Sequence, residues 1–206
     1  IFRQNYAPAY RVLRRDFACA LPLFARIDCL TAEKDRVLVA IEGGSASGKT
    51  TLGKLLQSVY GCTVFRMDDF FLRPEQRTEE RFSEPGGNVD RERFLEEVLL
   101  PLREGKAVDY RRFDCATFTI APPQRIEPEK LSIVEGAYSM HPDLAPYYDL
   151  SVFLAVSAEK QRERILKRNA PAHAKQFFDR WIPLEQRYFD ALDVKMRCDL
   201  ILPADG

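Results

Sequence analysis

The chain has no excess charge of either sign, very little histidine and no long apolar run, and each absence removes a class of function. Its 206 residues carry 31 Lys+Arg against 31 Asp+Glu, so no global field draws it toward nucleic acid or an acidic membrane surface. Nucleic acid is therefore not an expected partner, although a local basic groove would survive this average. Two histidines, His141 and His173, and five scattered cysteines, Cys19, Cys29, Cys62, Cys115 and Cys198, contain neither a C-x-x-C pair nor the clustered spacing of a zinc site. The odd, widely spaced thiols read as reduced and mostly buried, as in a cytoplasmic protein.

One apolar run, Phe17 to Ala25, follows Arg11, Arg14 and Arg15 and is interrupted by Pro22. It falls well short of the roughly 20 residues a membrane span needs, so no membrane partner is expected. A basic stretch before a short apolar one can be a secretory signal, but a phosphate-binding loop follows soon after, and such a loop makes sense only where nucleotide is held. The expected arrangement is an N-terminal helical extension, residues 1–35, packed on a single domain over 36–206. The chain opens on Ile1 without a methionine, which leaves a longer natural N-terminus open.

What is present is alternation of short β-rich runs with helical periods. Arg36 to Glu42 is a β-branched run ending in Gly43-Gly44, and Leu52, Leu55, Leu56 and Val59 then fall at i, i+3, i+4 and i+7 up to Gly61, a helix-ending glycine. Further strands are predicted at Thr63 to Met67, Leu131 to Val134, Asp149 to Val156 and Asp199 to Leu202, with Ser157 capping a helix from Ala158. Helices are predicted over Asp90 to Arg103 and Lys175 to Leu192, the second kinked at Pro183. Strands of buried type alternating with helices imply an α/β fold, an open parallel sheet of five strands with helices on both faces. Ligands of such sheets bind beyond the carboxyl ends of the strands, which singles out Gly43 onward, Asp68-Asp69 and Glu135.

Gly43, Gly44, Ser45, Ala46, Ser47, Gly48, Lys49 and Thr50 match G-x-x-x-x-G-K-[ST] in full, between a strand and a helix. Glycines let backbone N–H groups close around phosphate oxygens, and the helix N-terminus adds positive potential. Lys49 would reach the β- and γ-phosphates and Thr50 would offer a hydroxyl to Mg²⁺. The motif names a nucleotide but not a reaction, so the neighbouring residues must discriminate. Asp68 and Asp69 are either carboxylates facing the γ-phosphate or turn aspartates ending a strand. Glu135 is either an acidic residue near the metal or a strand-end carboxylate. Arg164 and Arg168 share one face of a helix that also carries Arg162 and Lys167, and that face is either solvated or a source of cations for a transferring phosphoryl group.

At these residues the chain resembles the uridine kinase and phosphoribulokinase-like group of P-loop kinases, from about Val37 to Leu202. Gly43 to Thr51, Met67-Asp68-Asp69-Phe70-Phe71, Phe82-Ser83-Glu84-Pro85 through Asp90, Glu104-Gly105-Lys106 leading to Phe113-Asp114, Glu135-Gly136 and the Arg164 helix carry the likeness. The resemblance implies sheet order 2-3-1-4-5, an acceptor-binding insertion at about 70–125 and a lid at about 162–178. It implies transfer of the γ-phosphoryl group of ATP to a hydroxyl of a small-molecule acceptor, a nucleoside or similar compound, with Mg²⁺ at Thr50 and Glu135. Asp68 would be the catalytic base, assisted by Lys49 and Arg164. Gly43 to Thr51 with Arg164 and Arg168 would bind ATP, and Asp68, Phe71, Glu84, Asp90, Tyr110 and Phe113 would bind the acceptor.

The chain departs from the uridine kinase pattern in three places. Phe113 stands where tyrosine is usual, and no histidine follows it. The stretch Pro85-Gly86-Gly87-Asn88-Val89-Asp90 is richer in glycine, and Asn169-Ala170-Pro171-Ala172-His173 replaces an arginine-rich lid turn. The rival readings are a kinase for a phosphorylated acceptor such as a nucleotide, with Arg73, Arg77, Arg81, Arg111 and Arg112 as its cations, and a nucleotide-binding switch without transferase activity. No heptad pattern speaks for or against a homo-oligomer.

Overall fold

The computed structural model describes residues 15–205; residues 1–14 of the expected extension, Arg11 and Arg14 among them, lie outside the described residues. Helix α1 (Arg15–Glu33) leads into β1 (Val37–Glu42), whose six residues are all buried, as the unbroken apolar run requires of a central parallel strand. The phosphate-binding loop follows and opens α2 (Lys49–Tyr60), which stops where Gly61 turns to a left-handed φ of 67° and donates to Gln57. Then come β2 (Thr63–Arg66), α3 (Glu79–Ser83) and a longer helical stretch, α4 (Arg91–Phe94) continued into α5 (Leu100–Glu104). Two small antiparallel ribbons, β3 (Val108–Tyr110) with β6 (Gln124–Ile126) and β4 (Phe113–Asp114) with β5 (Thr119–Ile120), precede β7 (Leu131–Glu135) and β8 (Leu150–Ala155). The chain finishes with α6 (Ala158–Arg168), α7 (Pro171–Gln176), α8 (Ile182–Ala191), α9 (Val194–Arg197) and β9 (Leu200–Pro203).

The main sheet is parallel throughout in the order β2-β7-β1-β8-β9. Counting its members alone in chain order, this is 2-3-1-4-5; the intervening ribbons are what make the third, fourth and fifth of them β7, β8 and β9. Register brings the functional ends level, because Glu135 pairs with Ile41 on one side and with Arg66 on the other. Side chains alternate across the sheet. Val37, Val39 and Ile41 pack with Leu23 and Ile27 of α1 and with Leu52 and Leu56 of α2, whereas Leu38 and Ala40 join Phe65, Phe70, Phe94 and Tyr188 on the other face.

Two expectations about helices change in detail. The stretch expected over Asp90 to Arg103 contains a π-turn at Leu95–Leu99, and the one expected over Lys175 to Leu192 contains another at Phe177–Trp181. Each lies just before a proline, Pro101 or Pro183, that has no N–H to give and whose ring crowds the carbonyl four residues back. The wider i→i+5 bond, seen from Leu100 N–H to Leu95 and from Ile182 N–H to Phe177, carries the helix past the defect without a break. The irregularity accompanying Pro183 therefore lies in the turn before it.

Leu23 is fully buried and ties α1 to the sheet. Leu23→Ala should cost about 2–5 kcal/mol of unfolding free energy by urea titration, within a single cooperative transition. A loss under about 0.5 kcal/mol would show that α1 is an appendage and no part of the core.

Candidate active site

The phosphate-binding loop gathers positive potential without an internal counter-charge, since the first turn of α2 carries no acidic residue. Gly48 holds a left-handed φ of 105°, and a Cβ there would meet nothing within 4 Å, so the loop presents bare backbone to open space. Ser47 Oγ is buried beside it without a hydrogen-bond partner. Lys49 is 8% exposed and folds its ammonium onto the loop, donating to the carbonyls of Gly43 at 2.7 Å and Gly44 at 2.9 Å. An open backbone cradle, an orphaned hydroxyl and a buried cation are what a polyphosphate requires.

A cavity of about 560 Å³ runs along this loop and is lined by Ser45 to Leu52, Asp68, Glu135, Arg164, Arg168, Phe177, Glu185 and, from α1, Arg15 and Cys19. Asp68 and Asp69 sit in one 3-10 turn, Met67–Asp69, directly after β2, and point apart. Asp68 lines the cavity with its side chain 55% exposed, its ion pair being to Arg66 at 3.9 Å. Asp69 instead accepts from the Tyr110 hydroxyl at 2.8 Å. Glu135 is 2% exposed and accepts from Thr50 Oγ1 at 3.0 Å and Arg66 Nε at 3.2 Å; burial and the nearby Asp68 charge push its carboxyl up, against Lys49, Thr50 and Arg66. The spacing of these side chains depends on Gly136, whose φ of +149° and close approach to Met67 Cβ, 2.6 Å from where its own Cβ would be, admit no side chain.

The sequence profile of the phosphoribulokinase/uridine kinase family matches residues 38–172. The chain belongs to this family. Among curated relatives it is 26% identical to uridine kinase-like protein 4 of Arabidopsis thaliana over 84% of its length, and 30% identical to the bifunctional alpha-galactosidase/sucrose kinase AgaSK of Mediterraneibacter gnavus over all of it. It spans 40% of the first and 24% of the second. A solved structure described as a possible uridine kinase from Bacillus stearothermophilus superposes with a TM-score of 0.63 at 21% identity, covering 88% of this chain and 99% of that one, a likeness of fold.

The other residues expected at the site divide in two. Arg164 and Arg168 line the loop cavity; Arg164 donates to the carbonyls of Ala46 at 3.2 Å and Ala204 at 2.5 Å, tying the loop to the end of β9, and Arg168 lies 5.8 Å from the Phe177 ring. Phe71, Glu84, Asp90, Tyr110 and Phe113 do not line the loop cavity. Tyr110 and Phe113 are buried; the Tyr110 hydroxyl is occupied by Asp69 and the Arg66 backbone, and Phe113 packs on Phe118 under Arg77. The polar face of Tyr110 and the ring of Phe113 are thus engaged within the protein. Asp90 caps α4 through the Arg93 amide and is 1% exposed, with Oδ2 unbonded although Arg73 Nε lies 3.4 Å away. Glu84 pairs with Arg91 at 3.0 Å, and Phe71 sits 6.2 Å from the Trp181 ring.

Three residues absent from the sequence reading stand close to the loop. Glu42, fully buried, accepts from the amides of Gly43 at 2.8 Å and Met140 at 3.0 Å and from the Tyr188 hydroxyl at 3.1 Å. Gln161 donates to the Ser45 carbonyl at 2.8 Å, and Glu185 accepts from the Ser45 amide at 2.8 Å. One signal was available: Glu185 falls four residues after Trp181 and three before Tyr188, in register with the apolar stripe of its helix, where an acidic residue must have a partner.

Burial raises the Glu42 carboxyl from 4.5 to about 7, against its hydrogen bonds and the Lys49 charge. With the folded value above the unfolded one, its stabilising contribution is complete below pH 4.5 and is lost as pH rises to about 7. The amount is about 3 kcal/mol. Glu42→Gln removes the titration and should flatten the stability slope across that window, read from urea midpoints at successive pH values; a slope equal to wild type would assign the titration to another group.

Proposed function

We propose that the protein transfers the γ-phosphoryl group of ATP to a hydroxyl of an uncharged small molecule. The observation that carries this reading is the placement of Asp68 in the same cavity as the phosphate-binding loop, while its neighbour Asp69 is turned away to Tyr110. A switch needs the loop; only a transferase needs a carboxylate left open opposite it. Asp68 would take the proton of the acceptor hydroxyl, Lys49 would turn from the Gly43 and Gly44 carbonyls to the phosphates, and the α2 N-terminus would hold the inner phosphates. The Thr50 hydroxyl and the Glu135 carboxylate are hard oxygen donors of the kind Mg²⁺ takes, one or two from protein with the rest from phosphate and water. When bound, the ion would neutralise charge on the β- and γ-phosphates.

An uncharged acceptor is favoured because three of the five arginines that could serve a charged one already face carboxylates, while Arg77 stacks on the Phe113 and Phe118 rings. Arg73 faces Asp90 and Glu75, Arg81 pairs with Glu92 at 2.7 Å, and Arg111 pairs with Glu97. A second phosphate would have to strip carboxylates from these cations. The half-buried Phe71–Trp181 pair beside the Asp68 turn suits the C–H face of a sugar ring, in a nucleoside or a saccharide. The sucrose kinase in the name of the relative that aligns with the whole chain makes saccharides the first acceptors to test.

A coupled ADP-release screen across saccharides, nucleosides and their phosphates should give turnover that depends on an unphosphorylated acceptor. Loss of ATP without acceptor dependence would identify a switch. With an acceptor in hand, Asp68→Asn should lower turnover by about 10²–10⁴ and leave ATP affinity nearly intact. Lys49→Ala should damage both, and should abolish the rise in melting temperature that a hundredfold excess of nucleotide over Kd confers, worth about 2.7 kcal/mol.

A further inference from the structure

Glu185 has no part in the chemistry above, yet it occupies the loop. It is 6% exposed, and both of its oxygens are taken by one residue: Oε2 accepts from the Ser45 amide at 2.8 Å and Oε1 from Ser45 Oγ at 2.5 Å. Gln161 holds the opposite side of Ser45 through its carbonyl. The charged groups that act on Glu185 are Lys49, which favours the carboxylate, and Asp68, which opposes it. Ser45 precedes Lys49, where α2 begins, by four residues of the loop, and Glu185 lines the same cavity as Asp68, so the carboxylate meets the loop on its Asp68 side. A hydroxyl activated at Asp68 must meet its phosphoryl group between Asp68 and the loop, so this is the γ-phosphate end of the cradle.

We propose that Glu185 makes the site distinguish a nucleoside triphosphate from a diphosphate, by holding the two Ser45 donors until a γ-phosphate displaces it. This rests on the proposed use of ATP. A diphosphate seated at the α2 N-terminus leaves the Glu185–Ser45 pair intact. A triphosphate must break that pair and set its terminal charge beside a buried carboxylate, where repulsion is poorly screened. Displacement would also be felt beyond the loop, since α8 carries Tyr188, bonded to Glu42, one turn after Glu185, and the π-turn that leads into α8 carries Trp181, packed on Phe71 of the insertion, one turn before it. Arrival of the γ-phosphate is thereby linked to the acceptor side.

Calorimetric titration of the full chain with Mg-ADP and with the Mg complex of the non-transferable β,γ-imido analogue of ATP tests this. Glu185→Gln should tighten the triphosphate analogue by at least about tenfold, as expected when a like charge is removed from its side. Binding of ADP should stay within about twofold of wild type, which also shows that the loop is folded. Glu185→Ala should move the two affinities in the same unequal way, and stands in if the glutamine variant does not fold. Equal changes in both affinities, or weakening of both, would overturn the proposal and leave Glu185 as a prop of the loop. Wild type that binds neither nucleotide would instead sink the ATP reading, and this proposal with it.

Discussion

A carboxylate sealed from water at the end of the central strand holds the site together. Glu42 is surrounded by donors from three segments: the Gly43 amide that begins the phosphate loop, the Met140 amide and Ser139 hydroxyl beyond β7, and the Tyr188 hydroxyl on α8. Leaving a buried polar group without one of its partners typically costs about 1–3 kcal/mol, more than an exposed ion pair is worth, so these segments are coupled beyond their apolar contacts. The coupling returns to the loop by a second route. Tyr188 and Glu185 are one helical turn apart, and Glu185 grips Ser45, so the same turn of α8 fixes both the entry of the loop and its crest.

The segment over residues 73–111 is built differently, from arginines and carboxylates in alternation. Arg81, Arg91 and Arg93 are mostly buried and face Glu84, Glu92, Glu97, Asp90 and Asp143. Exposed members of such a network add little individually. Its buried members order the segment, because Arg81 also donates to the Gly87 and Val89 carbonyls and Arg93 to that of Arg111, supplying donors that a glycine-rich stretch without regular structure lacks. Within this set Asp90 Oδ2, Arg91 Nη1 and the Nε and Nη2 of Arg93 are buried without a hydrogen bond.

The parallel sheet and the phosphate loop could be read from sequence for one reason: their signals are local. A buried parallel strand is a short apolar run, and the loop is a backbone conformation dictated by its own glycines. The ribbons over residues 108–126 could not, because strands of two or three residues carry no period. Tyr110 and Phe113 were expected to meet the acceptor because of the family they resemble; Asp69 and Arg77 decide their surroundings, and both come from distant positions in the chain. Spacing alone leaves open which of Asp68 and Asp69 faces the loop; the resemblance selects Asp68, and Asp69 is engaged by Tyr110. Glu42 and Glu185 escaped for the opposite reason, since an acidic residue ending a strand or lying within a helix is usually solvated, and burial is a property of what packs over it.

The two π-turns have an architectural consequence. Each amounts to one extra residue accommodated within a helix, and one residue turns everything beyond it by about 100° around the axis. Downstream of Phe177–Trp181, the face that α8 offers to Glu42 and Ser45 is therefore set independently of the face that α7 buries through Ala174. The helical rod behaves as two cams on one shaft, joined at an adjustable angle. Residues along α7 can change while the cam that grips the loop keeps its setting.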